Sequence, residues 1–190
     1  MKTDTSEKGL ETLIVGHMTA GGGWLAGKPQ DYDRSYAIDL VQFRAFITAT
    51  QPNIAESIAL DNDSPARQKL LARLQGEITK RGVIDVLRHG VKHGAHSIDL
   101  FYSTPTPGNS KAEERYAANR FSVTRQLRYS LDETMNALDM GLFINGLPIA
   151  TFELKNSLTK QTVADAIEQY KRDRNPRELL FQFGRCCGFR

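Results

Sequence analysis

Leu10, Leu13 and Ile14, together with His17, recur at helical spacing and predict a helix from Glu7 to Met18. Asp4 and Glu7 stand at capping-box spacing at its start. Leu40, Val41, Phe43, Phe46 and Ile47 predict a second helix over Ile38 to Ala49. Ser64-Pro65 joins an N-cap residue to a proline at the first helical position, so a third helix starts there. It runs through Leu70, Leu71 and Leu74 towards Lys80, and Val83 to Arg88 reads as another short helix.

After about His93 the period changes. Ser97 to Tyr102 reads as a strand, and Ser110 with Glu113 forms a capping box before a short helix to Ala118. Arg120 to Leu127 alternates with period two, the pattern of a half-solvated strand. Leu138 to Ile144 and Leu147 to Lys155 flank Asn145-Gly146, a strong hairpin signal. Thr159 to Arg172 is expected to be a helix, with Val163, Ala166, Ile167 and Tyr170 on one side, and Leu179 to Phe183 a final strand. The punctuated runs Gly21 to Pro29 and Ser103 to Ser110 read as surface loops, with Trp24 and Tyr32 packing the first onto the domain. Helices first and then β-β-β-α-β predict an α/β sandwich around a mixed sheet. A helical first part over about 1–95 then precedes a β-rich core over about 96–185, within a single domain spanning 1–190.

Composition narrows the classes. Apolar residues make up 40% of the 190, enough for a core and too many for a disordered chain. No apolar run approaches the roughly eighteen residues of a membrane span. The N-terminal residues lack the pattern of a secretory signal. Cys186 and Cys187 are the only cysteines, which suits a reducing compartment and predicts a cytoplasmic protein. The formal net charge of +3 permits a nucleic-acid partner without demanding one. His89, His93 and His96 can in principle ligate zinc, but no thiolate or carboxylate completes a known spacing, so solvated helix-end histidines are the plainer reading. Gly21-Gly22-Gly23 follows a helix rather than opening one and is no phosphate-cradling loop.

Chemistry concentrates in the hairpin. Glu153 and Lys155 are two apart, so a strand presents both on one face. Asp139 lies on the preceding strand. Two carboxylates can hold Mg²⁺ with waters completing its shell, and a lysine can stabilise charge developing on a phosphate. The same residues also fit a strand that ends at the surface with ordinary charges.

The run from Leu138 to Asn156, together with Asn119 to Gln126, Ala166 to Lys171 and Phe181 to Cys186, resembles the nuclease region of the restriction subunit of type I restriction–modification enzymes, a branch of the PD-(D/E)xK nuclease superfamily. The likeness extends from about Gly9 onward. It implies a restriction-endonuclease-like core, a mixed β-sheet flanked by helices, with extra N-terminal helices. It puts the metal-binding aspartate on Asp139 and the acid and lysine of the E-x-K motif on Glu153 and Lys155. Glu11 matches an early-helix acidic residue, and Gln169 the glutamine of a Gln-x-x-x-Tyr motif. That motif's tyrosine position is Asp173 here, with Tyr170 nearby. Leu138 stands where the superfamily usually has proline.

The implied activity is Mg²⁺-dependent endonucleolytic cleavage of double-stranded DNA, with Mn²⁺ as a substitute ion, as in a type I site-specific deoxyribonuclease. ATP would enter only through helicase-like motor domains that normally share the chain. No Gly-x-x-x-x-Gly-Lys-[Ser/Thr] motif occurs here, so those motors are absent from this chain. The other implied partners are the methyltransferase and specificity subunits, with no membrane. Candidate DNA contacts are Arg120, Arg125 and Arg128 before the hairpin, and Lys171, Arg172 and Arg174 after it. Two other readings stay open: a catalytically idle docking domain of the same complex, and a DNA-repair or phage-type nuclease with the same core.

The hairpin carries a register problem. An ideal two-residue Asn145-Gly146 turn sets Asp139 opposite Phe152, on the face away from Glu153 and Lys155. A shared metal therefore demands a one-residue departure. A three-residue loop, Ile144-Asn145-Gly146, with Gly146 left-handed as a G1 bulge, is the preferred solution. A bulge at Gly141 or beside Pro148 is the alternative.

Overall fold

The computed structural model describes residues 6–131, 136–154, 163–168, 171, 175, 177–182 and 187–189. Helix α1 spans Glu7–Ala20. Its N-cap is Ser6, whose hydroxyl accepts from the Gly9 amide; Asp4 of the expected Asp4–Glu7 box lies outside the described residues. Strand β1 (Leu25–Ala26) follows inside the stretch expected to be loop. A 3-10 turn at Pro29–Asp31 leads into the short hairpin β2 (Tyr32–Asp33) and β3 (Ile38–Asp39). Helices α2 (Leu40–Thr50), α3 (Pro52–Ser57), α4 (Pro65–Arg81) and α5 (Val83–His89) come next. Ser64 caps α4 as expected, accepting from the Arg67 amide at 3.1 Å with Pro65 in the first turn.

The strand expected over Ser97 to Tyr102 forms only at its start, as His96–Ile98. Strands β4 (Val91–His93) and β5 (His96–Ile98) form their own two-stranded ladder around Gly94-Ala95. Helix α6 (Ser110–Ala117) is capped by Asn109, which accepts from the Ala112 amide, so Ser110 is its first residue rather than its cap. Strands β6 (Phe121–Arg128), β7 (Ala137–Ile144) and β8 (Leu147–Phe152) follow. Helix α7 covers Val163–Glu168, within the helix expected over Thr159 to Arg172.

The strand expected over Leu179 to Phe183 does not form over its described residues, Leu179 to Gln182. Helix α8 spans Leu179–Gln182. A short apolar run fits either state by periodicity, and local contacts decide here. Asn175 accepts from the Arg177 amide, the amides of Phe181 and Gln182 turn back to the Glu178 carbonyl, and Leu180 is fully buried. The last strand is β9 (Cys187–Phe189).

The main sheet is mixed, in the order β1-β6-β7-β8-β9. β6, β7 and β8 run antiparallel, while β1 joins β6 and β9 joins β8 in parallel. The largely helical first part therefore also supplies an edge strand. One core cluster unites Phe43, Phe46 and Ile47 of α2, Leu70, Leu71, Leu74 and Ile78 of α4, and Val83, Val86 and Leu87 of α5 with Leu127, Leu138, Phe143 and Leu147 of the sheet. Each such side chain contributes roughly 1.5–3 kcal/mol by leaving water. Tyr32 packs edge-on to Phe143 at 5.9 Å, and Trp24 lies 5.7 Å from Phe121.

The sheet is locked to α2 at the β7–β8 turn. Asp39 caps α2 by accepting from the Gln42 amide at 3.0 Å, and its own amide donates to the Gly146 carbonyl at 2.9 Å. Its second oxygen, Oδ2, is buried with no hydrogen-bond donor among the described residues. Burial, with Asp31 adding to it and the Gln42 amide opposing it, pushes the Asp39 carboxyl up from 3.8 to about 6. A raised acid favours the protonated fold. Its stabilisation is full below about pH 4 and is lost as pH rises through about 6, on the order of 3 kcal/mol. Asp39→Asn keeps the capping oxygen and removes the charge. It is expected to match the parent near pH 4 and to exceed it by about 1–3 kcal/mol near pH 8. Thermal melts at both pH values check this, and a difference that does not grow with pH would refute it.

Candidate active site

The turn between β7 and β8 has positive φ at both central residues, +51° at Asn145 and +83° at Gly146. That is a two-residue type I′ turn, with Ile144 paired to Leu147 and Phe143 to Pro148. The expected three-residue loop does not form. The register shifts instead between Phe143 and Leu142, which pairs with Ala150. Ile149 is thus the extra residue of a β-bulge beside Pro148, which has no N–H to offer the ladder. Beyond it Gly141 pairs with Thr151 and Met140 with Phe152. Carried one step further, this register sets Asp139 against Glu153. The bulge thereby brings the two carboxylates to one face of the sheet.

Their setting is sheltered. Glu153 is 7% exposed and Asp139 half-buried. Asp139 Oδ2 accepts from the Leu154 amide at 2.6 Å, which fixes the carboxylate at the end of the ladder. Next to the pair on the same face lie buried Thr151 and Gly141, then Thr124. A side chain at Gly141 would meet Leu127 Cδ2 at 2.7 Å.

Across β6, the residue level with Asp139 is Gln126, between the pairs Arg125–Met140 and Leu127–Leu138. Gln126 has φ +49°, a costly conformation for a residue with a side chain in mid-strand. Its amide Nε2 donates to Glu11 Oε2 at 3.2 Å, and Arg125 Nε donates to Glu11 Oε1 at 2.6 Å. Glu11 is 3% exposed, and its ion pair with the partly exposed Arg125 pins α1 to β6. Glu11 thus reaches the strand next to the acidic pair with both oxygens engaged. Among the described residues no three His, Cys, Asp or Glu side chains group to hold a metal. No sequence signal marks Gln126 or the Leu154 amide; both emerge from backbone geometry alone.

Lys155, Gln169, Arg172 and Arg174 lie outside the described residues. Lys171 and Arg128 are exposed. Arg120 is half-buried, and its Nε donates to Gln42 Oε1 at 2.7 Å. Arg120 and Arg125 therefore both have partners within the fold. The three histidines do not all converge: His93 pairs with His96 across the β4–β5 ladder, but His89 faces Asp85, and His96 Nε2 lies 3.2 Å from Ser57 Oγ.

No helix among the described residues is long and apolar enough to cross a membrane. A family model described as type I restriction enzyme R protein N terminus matches residues 5–188. No curated protein and no solved structure matches the chain.

Proposed function

The chain belongs to the family of type I restriction enzyme R protein N termini, and on that premise we propose that it is the nuclease domain that cleaves double-stranded DNA with a divalent ion at Asp139 and Glu153. The observation supporting this reading is the β8 bulge, whose register, extended one step past Met140–Phe152, sets Asp139 against buried Glu153.

The donor set fits Mg²⁺. This hard ion is commonly held by one or two carboxylates, with substrate phosphate and water filling the other positions. When bound, it would supply an activated water and neutralise charge on the scissile phosphate. Asp139 and Glu153 would hold it, and the Leu154 amide orients Asp139 for that task. Lys155, two residues after Glu153, is the proposed donor to the charge that develops in the transition state. Glu11 and Gln169 are proposed supporting residues. Proposed partners are double-stranded DNA, motor domains that consume ATP, and the methyltransferase and specificity subunits.

Lys155→Ala tests the assignment. In the assembled enzyme it is expected to lower cleavage by roughly 10²–10³-fold while leaving DNA binding and ATP-driven translocation intact, because a transition-state donor contributes little to ground-state binding. Cleavage and translocation are measured side by side. Equal loss of both would remove the lysine from the chemistry.

A further inference from the structure

An open-sided cavity of about 350 Å³ lies between α6 and the segment leading out of β5. Its lining includes Tyr102, Ser103, Thr104, Thr106, Lys111 and Arg115, and no described lining residue is acidic. The helix sorts its charges. Lys111 and Arg115, four apart, both line the cavity, while Glu113 and Glu114 do not.

Neither cation is neutralised by a salt bridge among the described residues. Five arginines elsewhere in the fold are salt-bridged: Arg44 with Asp61, Arg67 with Asp63, Arg73 and Arg81 with Glu77, and Arg125 with Glu11. Arg115 instead stacks over the Tyr102 ring at 5.4 Å. Tyr102 is itself held by Phe46 on α2, with ring centres 5.9 Å apart, and its hydroxyl donates to Asp99. The guanidinium is thereby presented on a fixed platform beside three hydroxyl side chains. Hydroxyls and unpaired cations without a carboxylate form an anion site, and the open side suits a chain passing through rather than an enclosed small molecule.

The cavity is wired to the catalytic hairpin. Asn119 accepts from the Tyr102 amide and donates to its carbonyl, and Asn145 of the β7–β8 turn donates to Asn119. Asp139 stands six residues along β7 from Asn145, about 20 Å at strand rise.

We propose that this cavity binds a backbone phosphate of the DNA substrate, away from the acidic pair and joined to its hairpin through Asn119 and Asn145. This rests on the nuclease reading. The cavity sets where the duplex lies without reading its sequence, as phosphate contacts do.

The test is the binding of a labelled DNA duplex to the full chain without divalent ions, titrated with salt. Lys111→Ala/Arg115→Ala is expected to weaken binding about tenfold or more and to reduce the slope of log K against log salt by about 2. Arg115→Lys keeps the charge and should recover most of the slope while losing the stacked geometry. Inorganic phosphate, added alone, should shift the amide resonances of Thr104 and Ala112. An unchanged slope in the double variant would overturn the proposal. So would phosphate binding at the cavity with unaltered DNA affinity, which would mark a site for a small phosphorylated compound. The nuclease reading fails separately, if Asp139→Asn leaves cleavage intact. That outcome leaves the salt slopes as they are.

Discussion

Asp139→Asn is expected to reduce DNA cleavage by roughly 10³-fold or more and to abolish stabilisation by Mg²⁺, with little effect on the fold itself. Asparagine retains a side-chain oxygen to accept from the Leu154 amide, which holds Asp139 at the end of the ladder. It removes a negative charge set against buried Glu153, so the repulsion between two carboxylates without a cation disappears. Without divalent ions, stability should stay within about 1 kcal/mol of the parent or rise. Asp139→Ala removes the acceptor as well and should fall below Asp139→Asn by about 1 kcal/mol. Melting curves with and without Mg²⁺, beside cleavage by the assembled enzyme, separate these effects. Strong metal-free destabilisation of the asparagine variant would make Asp139 a structural partner and remove the basis of the metal site.

The hairpin shows what residues alone reveal and where they stop. Asn145-Gly146 announces a two-residue turn, and a shared site then requires one extra residue somewhere in the ladder. Both statements follow from period two. Which device supplies that residue does not, because Gly146 is acceptable in either turn. Pro148 decides it: a residue without an N–H sits where the ladder loses its regular pairing, and Ile149 is extruded beside it. The long helices were legible for a similar reason. Ser64-Pro65 and the Leu70–Leu71–Leu74 face speak through local sequence. The small pieces were not. β1 is two residues long and exists by pairing with β6, and β9 by pairing with β8. Leu179–Gln182 is helical because Asn175 and Glu178 organise it, although its apolar run fits a strand equally well. Gln126 is the extreme case. It has positive φ beside Asp139 and its side chain reaches Glu11, 115 positions away in the chain, and no local pattern encodes either.

Gly146→Ala is expected to be the most damaging single change in the hairpin, costing about 3 kcal/mol or more. Two costs combine. At φ +83° any side chain strains the backbone, by about 1–2 kcal/mol. A Cβ there would also meet the Asp39 carbonyl oxygen at 2.4 Å and the Phe43 amide nitrogen and Cβ at 2.7 Å. Those atoms belong to the first turn of α2 and cannot retreat cheaply. Asp39 caps that helix, its amide is bonded to the Gly146 carbonyl, and Phe43 is fully buried in the core. Asn145 holds the other side of the turn. It is wholly buried, donating to the Leu100 carbonyl and to Asn119 and accepting from the Arg120 amide at 2.6 Å. The turn therefore cannot slide without breaking contacts to three other segments. Gly94→Ala isolates the backbone cost: φ is +59° and nothing lies within 4 Å, so the loss should be about 1 kcal/mol. Gly146→Asn isolates the contact cost, since asparagine tolerates positive φ but still carries a Cβ. It should remain destabilised by about 1–3 kcal/mol. Denaturant melts of the three variants measure these differences. If Gly146→Ala costs no more than Gly94→Ala, the docking of the turn on α2 is loose. The register that sets Asp139 against Glu153 must then be held by the bulge at Ile149 alone.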